Sequence, residues 1–179
     1  MKKVLVTLIA LSLPAFALAD ETKGFYVQAD AGHATVKGDA SVKGFSPRIS
    51  AGYDFGDFRV AADYTHYKSK KINTSLVDKE AKYHSAGVSA IYDFDLQAPV
   101  KPYVGARVAV NHASTKVETA NSYYERKETK TGVGVMAGVS YEVTPNVALD
   151  AGYRYNYWGK FDETKIHTHE VSAGVRVTF

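Results

Sequence analysis

HEVSAGVRVTF, residues 169–179, decides the fold. Val171, Ala173, Val175, Val177 and Phe179 fall on one side of an extended chain, and Glu170, Ser172, Gly174 and Arg176 on the other. A period of two is the mark of a strand whose faces meet different surroundings. What matters is which surroundings, because a soluble sheet and a membrane barrel wall can share this pattern.

Working outward, the same alternation recurs in seven earlier runs of about ten residues, opening near Phe25, Phe45, Phe58, Ser85, Tyr103, Gly132 and Val147. Between them DFGD, DFDLQAPVK and EVTPN are short, whereas the segments near 35–43, 68–82, 112–130 and 159–168 are longer and polar. Eight strands with short turns at one end and longer loops at the other make an up-and-down antiparallel meander. No window after the first twenty residues sustains a helical period of 3.6.

The polar face separates the two cases. A face turned to water is rich in Lys and Glu, but this one is Gly, Ser, Asp and Arg. Arg48, Arg59, Arg107, Arg154 and Arg176 lie on it together with Asp30, Asp63, Asp150 and Glu170. Guanidinium forks matched to carboxylates suit a narrow, poorly hydrated interior. The opposite face carries no charge and is expected to meet lipid. Aromatic residues gather at both strand ends: Tyr53, Phe55, Phe58, Tyr92, Phe94, Tyr103, Tyr141 and Phe179 near the short turns, and Tyr64, Tyr67, Tyr83, Tyr155, Tyr157 and Trp158 near the long loops. Two such girdles are expected of a bilayer with two interfaces. The fold class is therefore all-β, an eight-stranded antiparallel up-and-down transmembrane β-barrel.

The beginning of the chain agrees with this destination. Lys2 and Lys3 precede the apolar run VLVTLIALSL, and Ala17-Leu18-Ala19 has the form of a cleavage site. Residues 1–19 are expected to be a secretory signal peptide and 20–179 the barrel, because the apolar run is well short of the ~20 residues a spanning helix needs. Without the two leading lysines the net charge falls from +3 to +1, which gives no argument for nucleic acid. Cysteine is absent, so no disulfide or thiolate zinc site is available. Strands crossing lipid must close to satisfy their backbone groups, which points to the outer membrane, with the last strand pairing the first and Phe179 serving as the aromatic end of an assembly signal for the barrel-assembly machinery.

GFYVQADAGHA, KGFSPRISAGY, SAIYDFDLQAPVKPYVGAR, VSYEVTPNVALDAGYRYNYWGK and VSAGVRVTF resemble the opacity family of outer-membrane proteins. The resemblance implies an eight-stranded surface barrel of a family often labelled porin. It also implies a part in host-cell adhesion, or in binding host surface receptors, complement regulators and glycans, with the loops choosing the partner. A small porin with weak ion conductance is the alternative.

A lipid A-modifying enzyme is the rival from another class, with His84-Ser85, or His167 and His169 beside a carboxylate, as its candidates. The residue types are present without a recognisable signature, and no catalytic residue is assigned. His33, His66, His84, His112, His167 and His169 all fall near the long-loop ends of strands. His167 and His169 share a face at the spacing of a metal clip, but no third ligand recurs at fixed spacing, so a rim of histidines at the headgroup level is the plainer reading. No phosphate-binding loop or dinucleotide fingerprint appears, and no cofactor is expected.

The four longer segments carry +1, +3, +1 and 0, or +5 in all, whereas Asp54, Asp57, Asp93, Asp95 and Glu142 against Lys101 give −4 on the short-turn side. Lys68, Lys70, Lys71, Lys79 and Lys82 supply most of the basic end and form a candidate polyanion-binding loop. Its expected ligands are lipopolysaccharide phosphates in the surrounding lipid or sulfated host glycans.

Overall fold

The computed structural model describes residues 23–37, 41–67, 72–74, 77–119, 122–161 and 164–179. The expectations for residues 1–19 and for Lys68, Lys70 and Lys71 lie outside the described residues. For Lys79 and Lys82 only the backbone positions are described.

The strands are β1 (Gly24–Lys37), β2 (Ser41–Asp54), β3 (Phe58–Tyr67), β4 (Ile72–Thr74), β5 (Val77–Asp93), β6 (Val100–Thr119), β7 (Ser122–Thr144), β8 (Val147–Phe161) and β9 (Thr164–Thr178). Each pairs antiparallel with its neighbour, β3 pairs β5 directly, and β9 returns to β1. The three-residue β4 pairs only β5, so eight strands make the wall. Closure runs from Tyr26 opposite Thr178 to Lys37 opposite His167. Beyond it the Phe179 N–H donates to the Phe25 carbonyl at 2.8 Å.

Solvent exposure is inverted relative to a water-soluble domain. Outward Phe25 is 71% exposed and Val171 63%, whereas Arg59 on the inner face is 1% exposed. A continuous exposed surface of Val, Ala, Phe and Tyr around a charged interior is stable only where the exterior solvent is apolar. β-Branched side chains fill that outer surface because they fit the pleat, and small residues on the inner face leave room for large ones. A methyl group on Gly87 would lie 2.6 Å from the Arg107 guanidinium carbon.

The turns behave differently at the two ends. In DFGD the Phe55 N–H donates to the Phe58 carbonyl at 2.8 Å, and the Gly56 N–H donates to Asp54 Oδ1 at 2.8 Å. Gly56 has φ +106°, a conformation open to glycine without cost. At the other end the long segments prove shorter than the sequence suggests. β6 and β7 stay in register up to Thr119 opposite Ser122, so residues 112–130 are mostly a paired ribbon rather than a loop. Where both faces of a hairpin meet water, alternation disappears from the sequence although the pairing continues.

Candidate functional site

The described structure offers two polar regions that a membrane barrel could use, its lumen and its outer rim. The lumen is built in tiers. Nearest the short turns, Arg59 donates to both oxygens of Asp93 at 2.6 and 2.7 Å. Beside it Arg176 donates to Asp54 at 2.9 Å, to Ser140 at 2.9 Å and to Asp150 at 3.4 Å. Tyr26 meets both cations, with the Arg59 and Arg176 guanidinium groups 5.9 and 5.7 Å from its ring, and Arg59 also lies 5.3 Å from the Tyr103 ring, close enough for the ring faces to add cation–π attraction.

The middle tier holds the other charged groups. Arg107 grips Asp63 with two bonds, 2.6 and 2.8 Å, and donates to Ser85 at 3.1 Å. Arg154 donates to Glu170 at 2.9 Å and to Thr65 at 3.0 Å. Arg48 donates to Asp30 at 3.0 Å and reaches Glu170 at 3.2 Å. Strands from the whole circumference therefore meet at the axis, and the charge-assisted bonds tie β1, β2, β3, β6, β8 and β9 together. A cavity of about 30 Å³ lies between the two tiers, lined by Tyr26, Arg48, Arg59, Tyr103 and Arg154, room for one or two water molecules.

Above this tier sits an aromatic cap. Trp158 is 1% exposed and packs with Tyr67, Ala34 and the partly buried Tyr83 and Ile166. Its ring centroid is 5.4 Å from that of Tyr67 and 6.2 Å from that of Tyr83. The register between β8 and β9 slips between Tyr157 and Gly159, and Gly159 has φ +94°. Trp158 is thus the extra residue of a bulge beside a glycine, a device that bends a strand and re-aims a side chain.

Several residues stand elsewhere than the sequence reading put them. Tyr103, Tyr67 and Trp158 are buried inside rather than lying in the lipid-facing girdles, and Tyr83 packs on Trp158. Strand parity gave the warning: Tyr67 shares the inner face with Arg59, Asp63 and Thr65, and Trp158 with Asp150, Arg154 and Asn156. Asp54 and Asp93, counted with the short-turn surface, are likewise buried partners of arginines. With them the described lumen holds five arginines and six carboxylates.

His84 and Ser85 do not come together. Ser85 is buried on the inner face and donates to Asn111 Oδ1 at 2.7 Å, whereas His84 faces outward with Tyr64 and His66. A nucleophile and base on opposite faces of one strand cannot share a proton. His167 and His169 face outward against Tyr153, Tyr155 and Tyr157. Among the described residues no group of three His, Asp or Glu is placed to hold a metal ion.

Residues 51–179 match the family described as Opacity family porin protein. Opacity protein opA58 of Neisseria gonorrhoeae is 36% identical over 184 residues, which cover 74% of this chain and 71% of that protein. The crystal structure of Neisserial surface protein A is similar at 56% identity with a TM-score of 0.75, covering 87% of this chain and 97% of that one. Ail, the attachment invasion locus protein of Yersinia pestis, solved in complex with the heparin analogue sucrose octasulfate, shares the fold at 21% identity and a TM-score of 0.63, over 86% of this chain and 98% of that one.

Proposed function

Because the chain belongs to the Opacity family of porin proteins, we propose that it is a non-enzymatic surface protein of the outer membrane whose extracellular ends contribute to host-cell adhesion or immune evasion. The observation that carries this reading is the filled interior. Among the described residues the cavity between the two ion-paired tiers is about 30 Å³ and Trp158 packs on Tyr67 above them, which speaks against a solute path or a substrate pocket along the axis. Recognition then falls to what projects beyond the membrane, which favours adhesion over the small-porin reading.

The partner class follows from charge. The segment 68–82 carries +3 of the +5 on the long-segment side, and sulfated polysaccharides are polyanions. Ail, a barrel of the same fold, was solved with a sulfated sugar, which makes this ligand class a reasonable first probe. Exposed lysine contacts contribute about 1 kcal/mol or less each and are screened over about 8 Å at physiological salt. Several acting together should give binding that falls steeply with ionic strength. Replacing Lys68, Lys70 and Lys71 with Gln should weaken retention on heparin and attachment to host cells, with heat-modifiable migration unchanged. Equal retention by the variant, with the same salt dependence, would remove the basic segment from the reading and move attention to Tyr123 and Tyr124 on the β6–β7 ribbon.

A further inference from the structure

We propose that the outward row His66, His84 and His112 is a proton-gated binding site for a phosphate monoester on the headgroup of an outer-leaflet lipid. The inference concerns the barrel wall and does not depend on what the loops bind.

The row is a product of register. His66 on β3 lies opposite His84 on β5, and His84 lies opposite His112 on β6. Three adjacent strands thus present an imidazole at one level of the outer surface. One step nearer the short turns, the outward neighbours Tyr64, Ala86 and Val110 form an apolar row in the same register. His66 is eight residues along β3 from Phe58, which at about 3.3 Å per residue and a tilt of about 40° is about 20 Å of height. An outer-membrane barrel has an apolar band about 25 Å tall, so the histidines stand at its upper edge, where headgroups begin.

The hydrogen bonding shows how the row responds to protons. Tyr64 Oη is 2.7 Å from His84 Nδ1, and His66 Nδ1 is 3.1 Å from that same nitrogen. His112 Nδ1 pairs with Thr129 Oγ1 at 2.9 Å. Two ring nitrogens facing each other can share a bond only while one is unprotonated. Once both carry a proton, two N–H donors aim at one point and the rings repel. An anionic oxygen at that point accepts from both and neutralises them. Proton uptake and anion binding therefore favour each other, over the pH range in which imidazole titrates.

The surroundings favour an anion over a cation. On β2 the outward neighbours of β3 at this level, Pro47 and Ile49, carry no charge. β3 contributes Tyr64, β6 contributes Ser114 beyond His112, and β7 contributes Thr129. Lys82 on β5 and Lys127 on β7 both hold positions in register with Ser114, one step above the row. Glu128 and Lys130 occupy the alternate positions on either side of Thr129. Hydroxyls beside imidazoles are donors suited to a phosphate oxygen, and the outer leaflet supplies phosphate on its glycolipid.

The test uses the refolded protein in phosphatidylcholine nanodiscs carrying a diphosphorylated glycolipid of the lipid A type, its dephosphorylated counterpart, or inorganic phosphate alone. Histidine ring carbon NMR signals and lipid phosphorus signals report binding. Affinity for the phosphorylated glycolipid should rise about tenfold between about pH 7.5 and about pH 5.5. In H66Q/H84Q/H112Q that rise should vanish, whereas H167Q/H169Q should keep it. In the unsubstituted protein the ring carbon signals of His66 and His84 should change on adding the phosphorylated lipid at about pH 5.5 and stay in place at about pH 7.5, a readout that needs no variant to fold. Ring signals indifferent to the lipid at both pH values would overturn the proposal. So would equal affinity for inorganic phosphate, an unchanged pH dependence in the triple variant, or the same loss in H167Q/H169Q.

Discussion

The lumen and the outer rim of this barrel are both rings of polar side chains held by strand register, yet they solve opposite problems. Among the described residues the buried cations inside are all arginine, fixed in charge and held by carboxylates at 2.6 to 3.4 Å. Outside, at the headgroup level, the polar groups are histidine, tyrosine and threonine, partly exposed and joined by single hydrogen bonds. The difference follows from what each ring can lean on. A charge in the lumen has little water to solvate it, so its partner must be supplied by the fold. A group at the headgroup edge has water and lipid phosphates within reach and need not be charged at all times. The fold thus places permanent pairing in a poorly hydrated interior and groups of adjustable charge at the headgroup edge.

The largest effect should come from breaking a lumen pair on one side only. Arg154→Met leaves Glu170 with Arg48 alone and removes the donor to Thr65. It should cost about 3–5 kcal/mol in urea unfolding from lipid vesicles. Losing both members of the Arg107–Asp63 pair to apolar residues of similar size should cost far less, because no buried charge is orphaned. If the single and double changes cost the same, the lumen is wetter than the packing implies. Next in size is Trp158→Ala, which removes the cap over Tyr67 and Tyr83. A cost of about 3 kcal/mol is expected, at the low end for a buried ring because water can enter the space. Smallest is Tyr64→Phe on the rim, which loses only the bond to His84 and should change stability by about 0.5 kcal/mol or less. A rim substitution as costly as Arg154→Met would erase the distinction between the two rings.

The strand count, the closure and the polarity of the wall were legible in the sequence because lipid and lumen impose a strict alternation. That alternation put Arg48, Arg59, Arg107, Arg154 and Arg176 on one face, but which carboxylate each meets depends on strand stagger, which no single strand records. Tyr67 and Trp158 stand inside because parity rather than nearness to a strand end decides the face, and aromatic residues at an end serve equally as girdle or as plug. Asp54 and Asp93 were missed for a related reason: each adjoins a turn, where a carboxylate usually faces water. The ribbon of β6 and β7 beyond His112 left no trace because both its faces are polar. The histidine row is invisible one strand at a time and emerges only when three registers align.

The central claim is that the barrel is closed along its axis and acts at its outer surface. Planar-bilayer recording of the refolded protein tests it most directly, at neutral pH and in concentrated salt. A lumen filled by ion pairs and capped by Trp158 should give no stable channel, and Trp158→Ala alone should not open one, because the arginine tiers below remain. Steady ohmic steps from the unsubstituted protein, large enough to pass sugars, would contradict the claim and return the small-porin reading to first place.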